Sequence, residues 1–294
     1  DSDHQGQAEA LWPWYGQAQR CSQGLWYKMG VVVCAHTPAV LRTYFYVGHY
    51  PVSDTAFLEI KKSEGCKCEE VLDVDMQEEE SMLMECYMKA AEKYSGIIYR
   101  SMADCRLKFA DYMSDGGKCI AYVKDGNCLG YAVYYNTAEL LYGEEVMAVS
   151  AEAEQVLADA LIEKGKGKAV TIKLPPDSKT ESPQGEKKVV PKNVCGIANV
   201  SKLLKAVGKN LKNTVKITDE VIKENNGVFD LCGNKTDDKA QIEMPVYRFA
   251  QWIFGYRSLK ELADEGEIKI NDASAAEFLD KELPKQVCHI IDEY

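Results

Sequence analysis

Across 294 residues the chain is 46% apolar and 28% charged, a balance that supports about two globular domains and excludes a disordered chain. Against 35 basic residues stand 46 acidic ones, a net charge of −11. That balance disfavours nucleic acid and anionic membrane surfaces and favours cationic ligands, although many soluble proteins are simply acidic.

Eleven cysteines are scattered along the chain apart from Cys66-x-Cys68, and no second Cys/His pair follows at ligand spacing. The expectation is reduced thiols in a cytoplasmic protein that holds no metal. The opening "DSDHQGQAEAL" has neither a basic nor an apolar signal region, and no run of about 18 apolar residues occurs, so no membrane span is expected. The chain does not begin with methionine, which suggests a processed or truncated product.

The first fifty residues are aromatic-rich and irregular, and "YPVSDT" (50–55) reads as a boundary. In "VDMQEEESMLMECYMKAAEKYSG", Met82, Leu83, Cys86, Tyr87, Ala90 and Ala91 have the spacing of a helix with one buried stripe, ended by Gly96. "KCIAYVK" and "CLGYAVYY" flank Asp125-Gly126-Asn127, the pattern of a hairpin. "EEVMAVS" reads as a strand, "AEAEQVLADALIEKG" as a helix and "KAVTIKL" as a strand, which together suggest an α+β acyltransferase-like domain. Residues 175–193 carry four prolines, many charges and no aromatic residue, and read as a linker or long surface loop. Beyond it lie a short helix in "SKLLKAVG" and strands in "TVKITD" and "GVFDLCG" around a turn at Asn226-Gly227. "PVYRFAQWIFG" places Val246, Phe249, Ala250, Ile253 and Phe254 on one helical face, and "SLKELADEG" is a second helix with Ser258 as N-cap and Glu261 three residues on. Gly255 and Gly266 end these two helices, and the block reads as a small α+β domain with an antiparallel sheet.

The strand-to-helix junction after "EEVMAVS" is the first candidate for an anion site. No glycine loop intervenes, Ser150 reads as an N-cap, and Glu152 and Glu154 in the first turn would repel a pyrophosphate. Glu144 and Glu145 could attract a cationic amine but read first as a solvated strand edge. Tyr134 and Tyr135 alternate across a strand, so at most one faces any pocket. Trp252, Phe254 and Tyr256 are either the wall of a lipid-like cavity or, as is commoner for aromatics at helical spacing, plain core. Ile290 and Ile291 argue that the last residues pack against something apolar.

Several stretches together resemble one family. They are Leu11-Trp12-Pro13 and "GLWYKMG"; "YSGIIYR" with Tyr99-Arg100; "DGNCLGYAVYY" leading to "EEV"; and then "ITDEVIKENNGVFDL", "FGYRSLKELADEG" and "LPKQVCHIIDEY". In order and spacing they are similar to the Eis-type (enhanced intracellular survival) GNAT N-acetyltransferases, over nearly the whole chain. The resemblance implies an α+β fold, a GNAT-like mixed-sheet domain followed by a sterol-carrier-protein-like α+β domain. Residues 1–53 would be the C-terminal remnant of a first, acetyl-CoA-binding GNAT domain. Residues 54–178 would be a second, cofactor-free GNAT-like domain, 179–193 a linker and 194–294 the sterol-carrier-like domain.

The implied activity is acetyl transfer from acetyl-CoA to a primary amine in a homo-oligomer, and the −11 charge favours polycationic acceptors. In that family the final carboxylate is the general base, which places the role on Tyr294. The general-acid tyrosine falls on Trp26, with Tyr27 one place away. The acetyl-CoA loop would lie upstream of this chain, leaving no cofactor-binding residues in it. The alternative is a non-catalytic binding module that holds an apolar ligand or mediates subunit contacts.

Overall fold

The structure is a computed structural model that describes residues 31–35, 41–46 and 48–292. These divide into two compact units, one of residues 55–190 and the other of residues up to 54 together with those from 191 onward. In chain order the first elements are β1 (Val31–Ala35), α1 (Leu41–Tyr46) and β2 (Tyr50–Ile60). Residues 50–55 thus run inside a strand, with Pro51 near its start.

The first unit continues with β3 (Leu72–Val74), α2 (Glu80–Ala91), α3 (Met102–Ser114), β4 (Lys118–Lys124), β5 (Asn127–Asn136), β6 (Leu140–Ala148), α4 (Ala151–Lys164) and β7 (Ala169–Leu174). Its strands lie in the order β2-β7-β6-β5-β4-β3, with the β6/β7 pair parallel and the others antiparallel. Two backbone conformations explain the β4–β5 hairpin: Asp125 and Gly126 both have positive φ, 52° and 75°, which suits a tight turn matched to strand twist. Helix α2 buries Leu83, Cys86, Tyr87, Ala90 and Ala91 as its apolar spacing predicts, but Met82 of that stripe is only half-buried and the helix ends at Ala91, before Gly96. Helix α3 was not legible from apolar spacing; a capping box at Ser101 and Asp104 starts it, and it buries Cys105, Phe109 and Tyr112. On α4, Ala153, Val156, Leu157, Ala160 and Leu161 join the core over the sheet. Each fully buried large apolar side chain there contributes about 1.5–3 kcal/mol.

The stretch read as a linker contains the start of β8 (Glu186–Ile197), whose later residues pair antiparallel with β1 in the second unit, Val31 opposite Ile197 and Ala35 opposite Asn193. The second unit then runs α5 (Val200–Val207), β9 (Thr214–Thr218), β10 (Gly227–Asp230), β11 (Lys235–Thr236), β12 (Ile242–Pro245), α6 (Val246–Ile253), α7 (Leu259–Asp264), β13 (Lys269–Ile270) and α8 (Ala273–Glu282). Its sheet has the order β11-β10-β9-β12-β13 and is mixed, because β9 and β12 are parallel, where an antiparallel sheet was expected. Asn226-Gly227 is not a two-residue turn. The connection from β9 to β10 is a longer loop with a 3-10 turn at Lys223–Asn225, and the Asn226 amide binds back to Asp219. Ser258 and Glu261 form the anticipated capping box on α7, and Gly255 and Gly266 have positive φ, 75° and 78°. The buried face of α6 carries Val246, Phe249, Ala250 and Trp252, whereas Ile253 and Phe254 are only half-buried.

Among the described residues no helix is long and apolar enough to cross a membrane. Nor does any group of three or more His, Cys, Asp or Glu side chains there have the arrangement to hold a metal. Nine cysteines among them are free thiols.

Candidate functional site

The last described residues are built into the second unit. Asp272 caps α8 by accepting from Ser274 N and Ala275 N, and Asp280 on the same helix accepts from Leu259 N and Lys260 N at the start of α7. After α8 the Gln286 N–H donates to Gly255 O at 2.8 Å. A Cβ on Gly255 would lie 3.3 Å from Gln286, so this close approach and the positive φ both suit glycine. Cys288, His289, Ile290, Ile291 and Asp292 follow, and none is more than 8% exposed. A segment so buried is packed, as Ile290 and Ile291 suggested. Next to Gly255, the Tyr256 hydroxyl donates to Asp54 Oδ1 at 2.8 Å. Burial, and then the bond to Asp54, raise this hydroxyl well above its ordinary range, and Cys288 adds to the rise. Tyr294, Trp26 and Tyr27, the residues that carry the expected base and acid, lie outside the described residues.

The second unit also holds buried polar groups that sequence reasoning missed. Ser53 Oγ donates to Asn193 Oδ1 at 3.0 Å, and Gln251 Nε2 donates to Pro51 O at 2.8 Å. Three donors, Asn193 Nδ2, Trp252 Nε1 and Arg257 Nε, have no acceptor among the described residues. Such donors mark places for ordered water or a ligand acceptor. Trp252 itself is 1% exposed and packs against Phe249, ring centroids 6.1 Å apart, so it is core; Phe254 and Tyr256 are half-buried.

In the first unit the expectation of a solvated edge at Glu144 and Glu145 is overturned. Strand β6 lies between β5 and β7, and both carboxylates are paired. Lys173 Nζ meets Glu144 Oε1 at 2.7 Å. Glu145, 1% exposed, receives both arms of the Arg100 guanidinium at 2.9 and 2.8 Å, the Tyr131 hydroxyl at 2.5 Å and the Tyr112 hydroxyl at 2.9 Å. Arg100 also stacks over the Tyr87 ring, 4.3 Å from its centroid. Burial alone would raise the Glu145 carboxyl, but the Arg100 charge, its hydrogen bonds and that from Tyr131 overcome this and hold it down at about 2. The "YSGIIYR" and "EEV" stretches therefore meet as a buried ion pair. Tyr134 on β5 is buried and its neighbour Tyr135 half-buried, but the strand is buried continuously over residues 130–134, so burial does not alternate along it.

At the β6–α4 junction only Val149 and Ser150 separate strand from helix. Ser150 Oγ accepts from Ala153 N at 3.1 Å, Val149 N donates to Leu129 O, and Lys93 Nζ donates to Ala148 O. Glu154, in the first turn, is buried and accepts from the Ser178 and Thr180 hydroxyls. A carboxylate already occupies the position where the helix dipole would attract an anion, and no loop supplies free N–H groups. This junction does not fit a pyrophosphate.

Comparison with solved structures gives matches over nearly the whole chain. A probable N-acyltransferase from Enterococcus faecalis superposes with a TM-score of 0.69 at 16% identity, covering 96% of this chain and 79% of that one. A GCN5-related N-acetyltransferase from Anabaena variabilis gives 0.69 at 15% identity, covering 99% and 79%. Eis1 from Mycobacterium abscessus gives 0.61 at 15% identity, covering 90% and 73%. The fold is that of the Eis-type GCN5-related N-acetyltransferases. Residues 200–288 match the sterol carrier protein domain family, so α5 to Cys288 in the second unit is sterol-carrier-protein-like. No curated protein matches the sequence.

Proposed function

We propose that the protein is an acetyl-CoA-dependent N-acetyltransferase acting on primary amines, polycationic ones among them, with the carboxylate of Tyr294 as general base. The observation that carries this reading is the burial of Cys288–Asp292, which holds the chain in place two residues before that carboxylate. An amine acceptor arrives as an ammonium and must lose a proton before it can attack an acyl group. An α-carboxyl has an ordinary pKa of about 3.5, so it serves as a base only when desolvated or through a relaying water. The packing of Cys288–Asp292 supports the first of these conditions.

Of the two residues at the acid's position, Trp26 and Tyr27, only Tyr27 carries an acidic hydroxyl. Acetyl-CoA would supply the activated acetyl group, and no described residue is assigned to hold it. The same reading gives residues 1–53 to the end of a cofactor-binding domain. It also takes the protein to be cytoplasmic, in line with its free thiols, and homo-oligomeric, which rests on the family resemblance. The test is acceptor-dependent release of CoA thiol from acetyl-CoA by the natural full-length protein across a panel of primary amines. Release with any of them is the expected result, and no acetylation across the panel would overturn the reading.

A further inference from the structure

A cavity of about 620 Å³ opens within the second unit at the carboxyl ends of the parallel strands β9 and β12. Its volume is that of a small-molecule site, and the carboxyl ends of parallel strands are a common place for one. One wall is a slab of three near-parallel rings. Phe45 stacks on Tyr50 at 4.6 Å and 14°, and Tyr50 stacks on Tyr247 at 4.0 Å and 16°. Val221, 54% exposed, adds an apolar rim.

The charges around it are unequal. Asp219 lines the cavity but spends its carboxylate on the N–H groups of Val221 and Ile222 and on the Asn225 amide. Glu267 accepts from the Tyr247 hydroxyl at 2.7 Å, and Glu265 and Glu267 share one guanidinium, that of Arg248. Glu220 is exposed, lines the cavity and makes no hydrogen bond or ion pair among the described residues. Lys223 is the one cation in the lining. Burial and then Glu267 raise the Tyr50 hydroxyl, Arg248 opposes them and Glu220 adds to the rise, so both carboxylates act on that end of the slab. An apolar aromatic wall beside a carboxylate without a partner, in a negative surrounding, selects a positively charged head on a short apolar stem.

We propose that this cavity binds an alkylammonium, its stem along the Phe45–Tyr50–Tyr247 slab and its charged head at Glu220. The site needs neither acetyl-CoA nor Tyr294, so it stands or falls separately from acetyl transfer. The experiment is calorimetric titration of putrescine into the full chain at low salt, without acetyl-CoA, alongside 1,4-butanediol and inorganic phosphate. Saturable binding of putrescine with no binding of the diol is expected. Glu220→Gln, a change at an exposed side chain that leaves the fold intact, should weaken it about tenfold, as loss of one charge-assisted hydrogen bond does. Glu277→Gln, which removes an equal charge from an exposed position on α8, should leave binding unchanged. The proposal is overturned by an absence of saturable putrescine binding, by equal weakening in the two variants, which would reduce the effect to net charge, or by phosphate binding instead. The last outcome would assign the cavity to the start of α6, which has no side-chain cap.

Discussion

Replacing Glu145 by Gln removes the charge at the centre of the first unit's polar network while keeping its shape. Arg100 is 3% exposed, so without its counter-ion the guanidinium is left charged in a site that water does not reach. The new amide accepts through one oxygen where two oxygens accepted from Arg100, Tyr131 and Tyr112, and its NH2 group faces donors. Breaking a buried pair from one side costs about 3–5 kcal/mol. For a unit of this size each kcal/mol lowers the melting temperature by roughly 2–4 °C, so a fall of about 10 °C is expected. Differential scanning calorimetry at pH 7 reads it directly. The control is Glu59→Gln, whose partner Lys188 lies 2.7 Å away but with side chains 46% and 55% exposed; its loss should be below about 1 kcal/mol. If Glu145→Gln melts within about 2 °C of the parent, the network does not hold the unit together. The double variant Arg100→Met, Glu145→Leu should lose less than either single change, because no uncompensated charge remains.

The same carboxylate sets a pH dependence. Its folded pKa of about 2 lies below the ordinary 4.5, so its contribution is fully present above about pH 4.5 and is lost as pH falls from there towards 2. Chemical denaturation at pH 6, 4 and 3 should show falling stability in the parent and a flatter profile in Glu145→Gln; equal slopes would contradict the assignment. In the second unit, a Cβ on Gly196 would come within 2.5–2.7 Å of the His49 ring, so Gly196→Ala should cost about 1–3 kcal/mol through overpacking. Urea unfolding that shows no loss would mean that the ring moves aside freely.

What the sequence revealed and concealed follows from the range of the interactions involved. Local signals were legible: the buried stripe of α2, the left-handed pair Asp125-Gly126, and the reciprocal cap of Ser258 and Glu261 are each written within a few residues. Helix α3 also announces itself by a capping box, Ser101 with Asp104, but only three of its thirteen residues are deeply buried and its apolar period is faint. Strand β2 was hidden because "YPVSDT" has the composition of a turn, while its burial comes from pairing with residues more than a hundred positions away. Glu145 was misjudged for the same reason. An acid in a strand looks solvated until Arg100, 45 residues earlier, is brought beside it. The Ile290–Ile291 pair did disclose the packed terminal segment, but the ring slab of Phe45, Tyr50 and Tyr247 is assembled from two distant stretches and has no local signature.

Acetyl transfer assisted by the Tyr294 carboxylate is tested most directly by adding one glycine after Tyr294 in the natural full-length protein. That residue moves the carboxylate by about 3.5 Å and leaves every buried side chain of Cys288–Asp292 unchanged. The measurement is kcat for a primary amine at saturating acetyl-CoA, with the melting temperature recorded beside it. A loss of about 10²–10⁴-fold at an unchanged melting temperature is the predicted result, the range of a positioned general base. A kcat within about twofold of the parent, at that same melting temperature, would contradict it and leave the buried terminal segment with a structural role alone.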